Sequence, residues 1–282
     1  MRMPPSILRL RGVRVADEGR LQVGPHSLEV AWVGPDRAQT PGPVLVFLHE
    51  GLGCVGLWRD FPARLAAACG RPGFVYSRSG YGQSSVRPLP RMPDYLGVEA
   101  RLLPHVLAAA GIGDCVLIGH SDGASIALDF AGALGGAPKP LVPQPSVRVR
   151  GLLLEAPHLF AEELSIKSIT KMRDAYLETD LKQRLGRWHR DPDVAFWGWC
   201  GPWLDPLFRA WNLGPSLPGI SAPVLVLQGK DDEYGTAAQL DALRGGVRGR
   251  FETLLLDACG HSPHRDQPEQ VLEAMRAFIA GL

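Results

Sequence analysis

The sequence predicts an α/β protein: a mostly parallel sheet with helices on both faces. Three observations carry this. Short, continuous apolar runs suited to strands buried on both faces recur along the chain, and residues 44–48 (VLVFL) are the clearest. Stretches with helical spacing separate these runs, and strand–helix–strand repeats imply right-handed crossovers between parallel strands. With 282 residues, 45% of them hydrophobic, the chain can bury a large core without metals or disulfides.

The elements follow in order. Residues 7–15 (ILRLRGVRV) alternate apolar and basic and change phase at Gly12, which predicts a strand with a bulge. Residues 28–33 (LEVAWV) predict a second strand, and the turn between carries Gly19, Gly24 and Pro25. No helical stretch separates these two, so an antiparallel edge is expected. After the 44–48 strand come a helix over 57–69, a strand at 73–76 and a helix over 93–110. A strand at 115–118 leads into a helix over 121–134, then a Pro/Gly-rich loop over 135–146 with Pro138, Pro140, Pro143 and Pro145, then a strand at 150–155. Two more strands are expected at 223–228 and 251–257, with a closing amphipathic helix over 268–279. No internal repeat is evident.

One stretch breaks the rhythm. Residues 157–218 show no strand pattern and hold five of the seven tryptophans: Trp188, Trp197, Trp199, Trp203 and Trp211. They read as a helical lid inserted into a core formed by 1–156 and 219–282.

Composition narrows the partners. The net charge of +1 lacks the basic footprint of a nucleic-acid binder. No apolar run reaches the ~18 residues of a membrane span, and Met1 to Ser6 do not form a charged-then-apolar leader. Five scattered cysteines without a C-x-x-C match neither a disulfide framework nor a zinc ribbon, so reduced thiols in the cytoplasm are expected. The 33 glycines and 25 prolines make about a fifth of the chain, which indicates a folded protein rich in turns. A small-molecule partner fits these features, with no nucleic acid, membrane, metal or organic cofactor; the oligomeric state is left open.

The chemistry concentrates in a few loops. Gly119-His120-Ser121-Asp122-Gly123 follows an apolar strand and opens a helix, the setting that the G-x-S-x-G nucleophile turn requires. The turn is so tight that the residues two before and two after Ser121 must lack side chains, and the Ser oxygen then points away from the sheet. A plain Ser N-cap on a βα turn is the structural alternative. The 44–48 strand runs into His49-Glu50-Gly51-Leu52-Gly53. Backbone N–H groups of Gly51, with Leu52 as neighbour, and of Asp122 are the candidate donors to an oxyanion. His49 and Glu50 are read as holding the loop's shape.

A nucleophilic serine needs a base, and the base an orienter. Asp232, in Gly229-Lys230-Asp231-Asp232, and His261, in Gly260-His261-Ser262-Pro263-His264, both leave strand ends on the edge of Ser121. Asp231 and Glu155 are alternative acids. A zinc pair at His261 and His264 lacks a nearby third ligand. His158 is placed near the pocket mouth. Leu52, His120, Trp197, Trp199 and Trp203 are candidate substrate contacts, with the tryptophans equally readable as the lid's own core. Residues 51–56 also match G-x-G-x-x-G, with Ser77 and Arg78 suited to a 2′-phosphate. That opens an NADP-binding oxidoreductase reading, although such a fingerprint usually sits on the first strand.

Together, VLVFLHEGLG, SRSGYGQSS, GHSDG, QGKDD and GHSPH resemble the α/β-hydrolase superfamily in order and spacing from residue 44 to the end. The resemblance implies an eight-stranded sheet, a helical lid, a Ser121–Asp232–His261 triad and oxyanion donors at Gly51 and Asp122. It implies a serine hydrolase cleaving an ester or related acyl bond of a small, largely apolar substrate. A carbon–carbon hydrolase or lactonase with the same triad, and a non-enzymatic ligand-binding protein, are the alternatives. Two departures stand out: Glu50 intervenes between His49 and Gly51, and Ser77 stands where relatives often carry Asp. Relatives with G-x-S-D-G include esterases of amino-acid esters, in which the Asp can attract an ammonium; Asp122 permits that role.

Overall fold

The computed structural model describes residues 15–136 and 146–282. The expected strand at 7–15 with its Gly12 bulge, and the prolines at 138, 140, 143 and 145, fall almost wholly outside that range. The chain order begins with a hairpin, β1 (Val15–Val23) and β2 (His26–Val33). Gly19 lies inside β1, paired across to Val30, so the turn is made by Gly24 and Pro25 alone. There follow β3 (Val44–Leu48), α1 (Phe61–Cys69), β4 (Gly73–Tyr76), α2 (Tyr95–Ala109), β5 (Asp114–His120), α3 (Asp122–Gly135) and β6 (Arg148–Glu155). After a helical stretch of α4 (Glu163–Glu178), α5 (Leu181–Leu185) and α6 (Pro192–Leu204) come β7 (Val224–Gly229), α7 (Ala237–Gly246), β8 (Phe251–Leu256), α8 (Pro263–Asp266) and α9 (Pro268–Ala280).

The eight strands form one sheet in the order β1-β2-β4-β3-β5-β6-β7-β8. Only β2 runs against its neighbours, so the antiparallel part is the β1/β2 edge, and every pair from β4 to β8 is parallel. Alternation along a strand explains the two cores. Val44, Val46 and Leu48 face one cluster with Leu103 and Leu107 of α2 and Ile126 of α3. Leu45 and Phe47 face the other, with Leu65 of α1 and Val271 and Met275 of α9. Each such fully buried side chain contributes roughly 1.5–3 kcal/mol of burial free energy.

The helical stretch between β6 and β7 has its own aromatic packing: Tyr176 stacks on Phe196 with ring centroids 3.8 Å apart, and Trp197 meets both edge-on. It is tied to the strand-end loops. His189 accepts from Gly82 N–H at 2.9 Å and bonds Leu52 O at 2.9 Å. Helix α7, which apolar periodicity did not announce, is started by Thr236 Oγ1 accepting from Ala238 N–H and buries little more than Leu240 and Leu243. Among the described residues no helix is long and apolar enough to cross a membrane.

Candidate active site

Parallel strands end together, and the loops leaving the carboxyl ends of β3, β4, β5, β6, β7 and β8 converge on one edge of the sheet. Backbone strain marks that edge. Ser121, Ala156 and Ala258 take left-handed conformations (φ 53°, 46° and 48°) just past β5, β6 and β8. At Ser121 the tight turn brings α3 against the sheet. A Cβ on Gly123 would lie 1.9 Å from Leu48 O, and one on Gly119 would lie 2.6 Å from Ala124 N, so neither position tolerates a side chain.

The turn sets Ser121 Oγ 2.8 Å from His261 Nε2. His261 Nδ1 lies 2.9 Å from both Asp232 carboxylate oxygens. An ionised carboxylate only accepts, so Nδ1 carries the hydrogen and Nε2 is left to accept the Ser121 hydroxyl proton. Asp232 is held in turn by Tyr234 N–H at 2.8 Å and Gln228 Nε2 at 2.6 Å. Burial works against its charge, yet the His261 hydrogen bond and the other donors bring its pKa down to about 2. Asp231 is exposed, its N–H bonded to Cys259 O.

Glu155, the other alternative acid, turns away from His261. Its Oε2 accepts from His264 N–H at 3.0 Å and pairs with His264 Nδ1 at 2.7 Å. His264 thereby faces a different carboxylate from His261, which separates the two imidazoles of the supposed zinc pair. His120, expected at the substrate, lies under the His261 loop: it is 1% exposed, and its Nε2 donates to His261 O at 2.6 Å. Burial lowers its pKa to about 4, which keeps it neutral. His158 is buried rather than at a mouth, with its ring 5.5 Å from His261 and 5.2 Å from Trp203, and burial lowers its pKa to about 3.

The remaining candidates separate by environment. Gly51 and Asp122 N–H have no acceptor among the described residues. The Trp199 indole lies over Gly51, where a Cβ would sit 2.1 Å from its Nε1. Leu52 is half-buried beside it. Trp197 belongs to the aromatic packing of the helical stretch. Trp203 is 1% exposed, and its Nε1 donates to Tyr95 OH at 2.8 Å and Asp122 Oδ1 at 3.3 Å. Tyr95 OH also donates to Asp122 Oδ2, at 2.5 Å, and the guanidinium of Arg78 lies 3.7 Å away. The Asp122 carboxylate is thus fully buried and occupied, which removes it as an ammonium receptor. Burial raises its pKa, against the pull of Arg78.

The NADP reading fails on the same loops. Arg78 is 2% exposed and bonds His49 O and Glu50 O, so it is closed to a phosphate. Ser77 Oγ accepts from Val55 N–H at 2.8 Å and donates to Glu29 at 2.7 Å, and the G-x-G-x-x-G stretch leads into a short 3-10 turn (Val55–Trp58) instead of an α-helix N-terminus. The sequence offered Arg78 to a 2′-phosphate and Glu155 to His261; that Arg78 instead bonds the 49–50 carbonyls and Glu155 pairs with His264 needed the fold.

The sheet thus carries a serine on a strained strand–helix turn, hydrogen-bonded to a histidine from a later strand end that is itself bonded to an aspartate from another, an arrangement in which the histidine can take the serine's proton. The chain belongs to the alpha/beta hydrolase family, whose model matches residues 45–274. It is similar to 2-succinyl-6-hydroxy-2,4-cyclohexadiene-1-carboxylate synthase of Klebsiella pneumoniae, 24% identical over 266 residues covering 87% of this chain and 97% of that protein. Among solved structures it is similar to proline iminopeptidase of Mycobacterium smegmatis, with TM-score 0.72, 18% identity, and 94% and 98% of the two chains covered. It is similar also to 2-hydroxy-6-oxo-6-phenylhexa-2,4-dienoate hydrolase of Rhodococcus sp., again with TM-score 0.72 and 18% identity, over 96% and 100% of the chains.

Proposed function

We propose that the protein is a serine hydrolase that cleaves an ester or related acyl bond of a small, largely apolar substrate through an acyl-enzyme on Ser121. The observation that carries this is the continuous line Asp232–His261–Ser121, with contacts of 2.9 and 2.8 Å. In this reading His261 takes the Ser121 proton as Oγ attacks the carbonyl carbon. Asp232 holds the tautomer and stabilises the imidazolium. Gly51 and Asp122 N–H bind the oxyanion. The imidazolium then protonates the departing alcohol, and water, deprotonated by His261, releases the acid. Residues 157–218 act as a lid, with Trp199 roofing the oxyanion loop and contributing apolar surface to the substrate. The five cysteines are all unpaired, which accords with a reducing, cytoplasmic setting.

A second reading keeps the same residues. The names of the Klebsiella and Rhodococcus proteins refer to a carboxylate synthase and a dienoate hydrolase. The second of these names, a hydrolase of a keto-dienoate without an ester, favours a carbon–carbon cleavage at this triad as the alternative. One experiment addresses both: p-nitrophenyl esters of increasing acyl length, lactones and a dienoate ketone, assayed with wild type and Ser121→Ala. Ester turnover that falls at least about a thousandfold in Ser121→Ala is expected. Ester turnover retained in that variant refutes the nucleophile; turnover of the dienoate alone selects the second reading.

A further inference from the structure

A trans peptide unit is rigid and planar, and its C=O and N–H point in opposite directions. The Glu50 carbonyl therefore sets where the Gly51 N–H is aimed. Three donors hold that carbonyl: His49 Nδ1 at 2.7 Å, Gly53 N–H at 3.1 Å and Arg78 Nη2 at 3.1 Å. The His49 tautomer follows from its other nitrogen. Nε2 lies 3.0 Å from the Arg78 backbone N–H, a group that can only donate, so Nε2 accepts and Nδ1 carries the hydrogen. Burial and the adjacent Arg78 charge hold His49 neutral, well below its ordinary pKa.

Arg78 does more than fill space. Its Nη1 donates to His49 O at 2.7 Å, so one guanidinium bonds two successive carbonyls of the loop. Burial works against that charge, but the facing Tyr81 and Asp122 groups more than offset it, and Arg78 stays protonated. Its guanidinium faces the carboxylate of Asp122, the residue whose own N–H is the second oxyanion donor. The Gly51 carbonyl, by contrast, accepts no hydrogen bond among the described residues, so the Gly51–Leu52 unit lacks such a clamp.

We propose that Arg78 and His49 are positioning residues that clamp and polarise the Glu50–Gly51 peptide, aiming the Gly51 N–H at the developing oxyanion and fixing its spacing from the Asp122 N–H. This rests on the serine-hydrolase reading and makes Gly51, not Leu52, the loop's donor. A charged donor on the carbonyl oxygen strengthens the N–H at the other end of the same amide. The benefit falls on the transition state, because only there does the substrate oxygen carry full negative charge.

The test uses Arg78→Lys, Arg78→Met and His49→Gln. Kinetics with p-nitrophenyl acetate are corrected for active sites by titration with a fluorophosphonate, and phenylboronic acid serves as the tetrahedral mimic. Removing one oxyanion donor outright costs about 10²–10³ in kcat, so a misaimed donor is expected to cost roughly 10–100-fold. KM should stay within about twofold, and phenylboronic acid should bind more weakly by a factor similar to the kcat loss. Should Arg78→Met fail to fold, Arg78→Lys and His49→Gln carry the measurement. Folded variants with titration-corrected kcat and boronate affinity unchanged would overturn the clamp, and so would parallel losses in kcat and substrate binding. A wild type that neither turns over esters nor labels at Ser121 overturns the hydrolase reading and the clamp together. A wild type that labels without turning over p-nitrophenyl acetate is compared by its fluorophosphonate inactivation rate, with the same expected loss.

Discussion

Glu155 and His264 form a second buried histidine–carboxylate pair, and removing either partner should be far more damaging than removing both. Their side chains are 0% and 2% exposed. Burial opposes the Glu155 charge, but His264, through its charge and two hydrogen bonds, lowers the carboxyl's pKa. Glu155→Leu strands two buried donors, His264 N–H and Nδ1–H; His264→Leu leaves a buried carboxylate with a single backbone donor. Each should cost about 3–5 kcal/mol, the usual range for breaking a buried pair. If the effects were independent, the double variant would lose about 6–10 kcal/mol. It retains only one orphan, the N–H of residue 264, worth about 1–3 kcal/mol, so a coupling of about 3 kcal/mol or more is expected. Urea unfolding at pH 7, followed by circular dichroism on the four proteins, measures it. Glu155→Gln, which keeps an acceptor oxygen, should lose about 1–2 kcal/mol and gives a milder probe if the leucine variants are too unstable. Costs that add within about 0.5 kcal/mol would refute the pairing argument.

Trp203→Phe removes an indole N–H from Tyr95 OH and Asp122 and should destabilise by about 1–3 kcal/mol in thermal or urea melts; an unchanged midpoint would place the Asp122 carboxylate elsewhere. Asp232 has a folded-state pKa of about 2 against 3.8 for the free group. Its charge therefore stabilises the fold by about 2 kcal/mol above pH 4, and this is lost as the pH falls through about 2. The stability gap between wild type and Asp232→Asn should roughly halve between pH 6 and pH 3, and a gap independent of pH would contradict the assignment. Gly123→Ala drives a methyl into the Leu48 carbonyl, 1.9 Å from the Cβ position, so it should abolish fluorophosphonate labelling of Ser121 or prevent folding. Normal labelling would refute the close approach of residue 123 to the Leu48 carbonyl.

The strands and the nucleophile turn were legible because each rests on a local signal. Buried parallel strands read as apolar runs, and G-H-S-D-G needs its small flanks wherever the fold places it. Asp232 and His261 were legible from strand exits and chain order, and the structure sets both on one line with Ser121. Other features depend on contacts between residues far apart in sequence. Glu155 is 109 residues from His264, so nothing local marks their pairing. His120 sits inside the motif, yet a residue beside a candidate nucleophile reads as a substrate contact until the fold places it under the His261 loop. Asp122 misled in the same way: beside the candidate nucleophile it reads as a charge that could attract an ammonium, but Tyr95 and Trp203 arrive from other elements and occupy it. Helix α7 was missed because a helix lying half in solvent with two buried leucines has almost no apolar period to detect.

The buried polar groups that hold the loops on either side of Ser121 form two sets, and their roles explain why they are polar at all. Loops that leave strand ends carry unpaired backbone groups, and apolar side chains cannot satisfy them once water is excluded. On one side of Ser121, Arg78 and His49 satisfy the carbonyls of residues 49 and 50. On the other, His120 takes the carbonyl of His261 and Glu155 takes the N–H of His264. The first set holds the loop that carries the proposed oxyanion donor; the second holds the loop that carries the proposed base. A closer fit of apolar side chains would make a drier core but leave both loops free to drift, and an error of 1 Å at such a site is expensive in rate. The two sets share no hydrogen bond with each other among the described residues. Substitutions within one set should therefore couple strongly, while pairs drawn from opposite sets, such as Arg78→Lys with Glu155→Gln, should add in stability even where both slow the reaction.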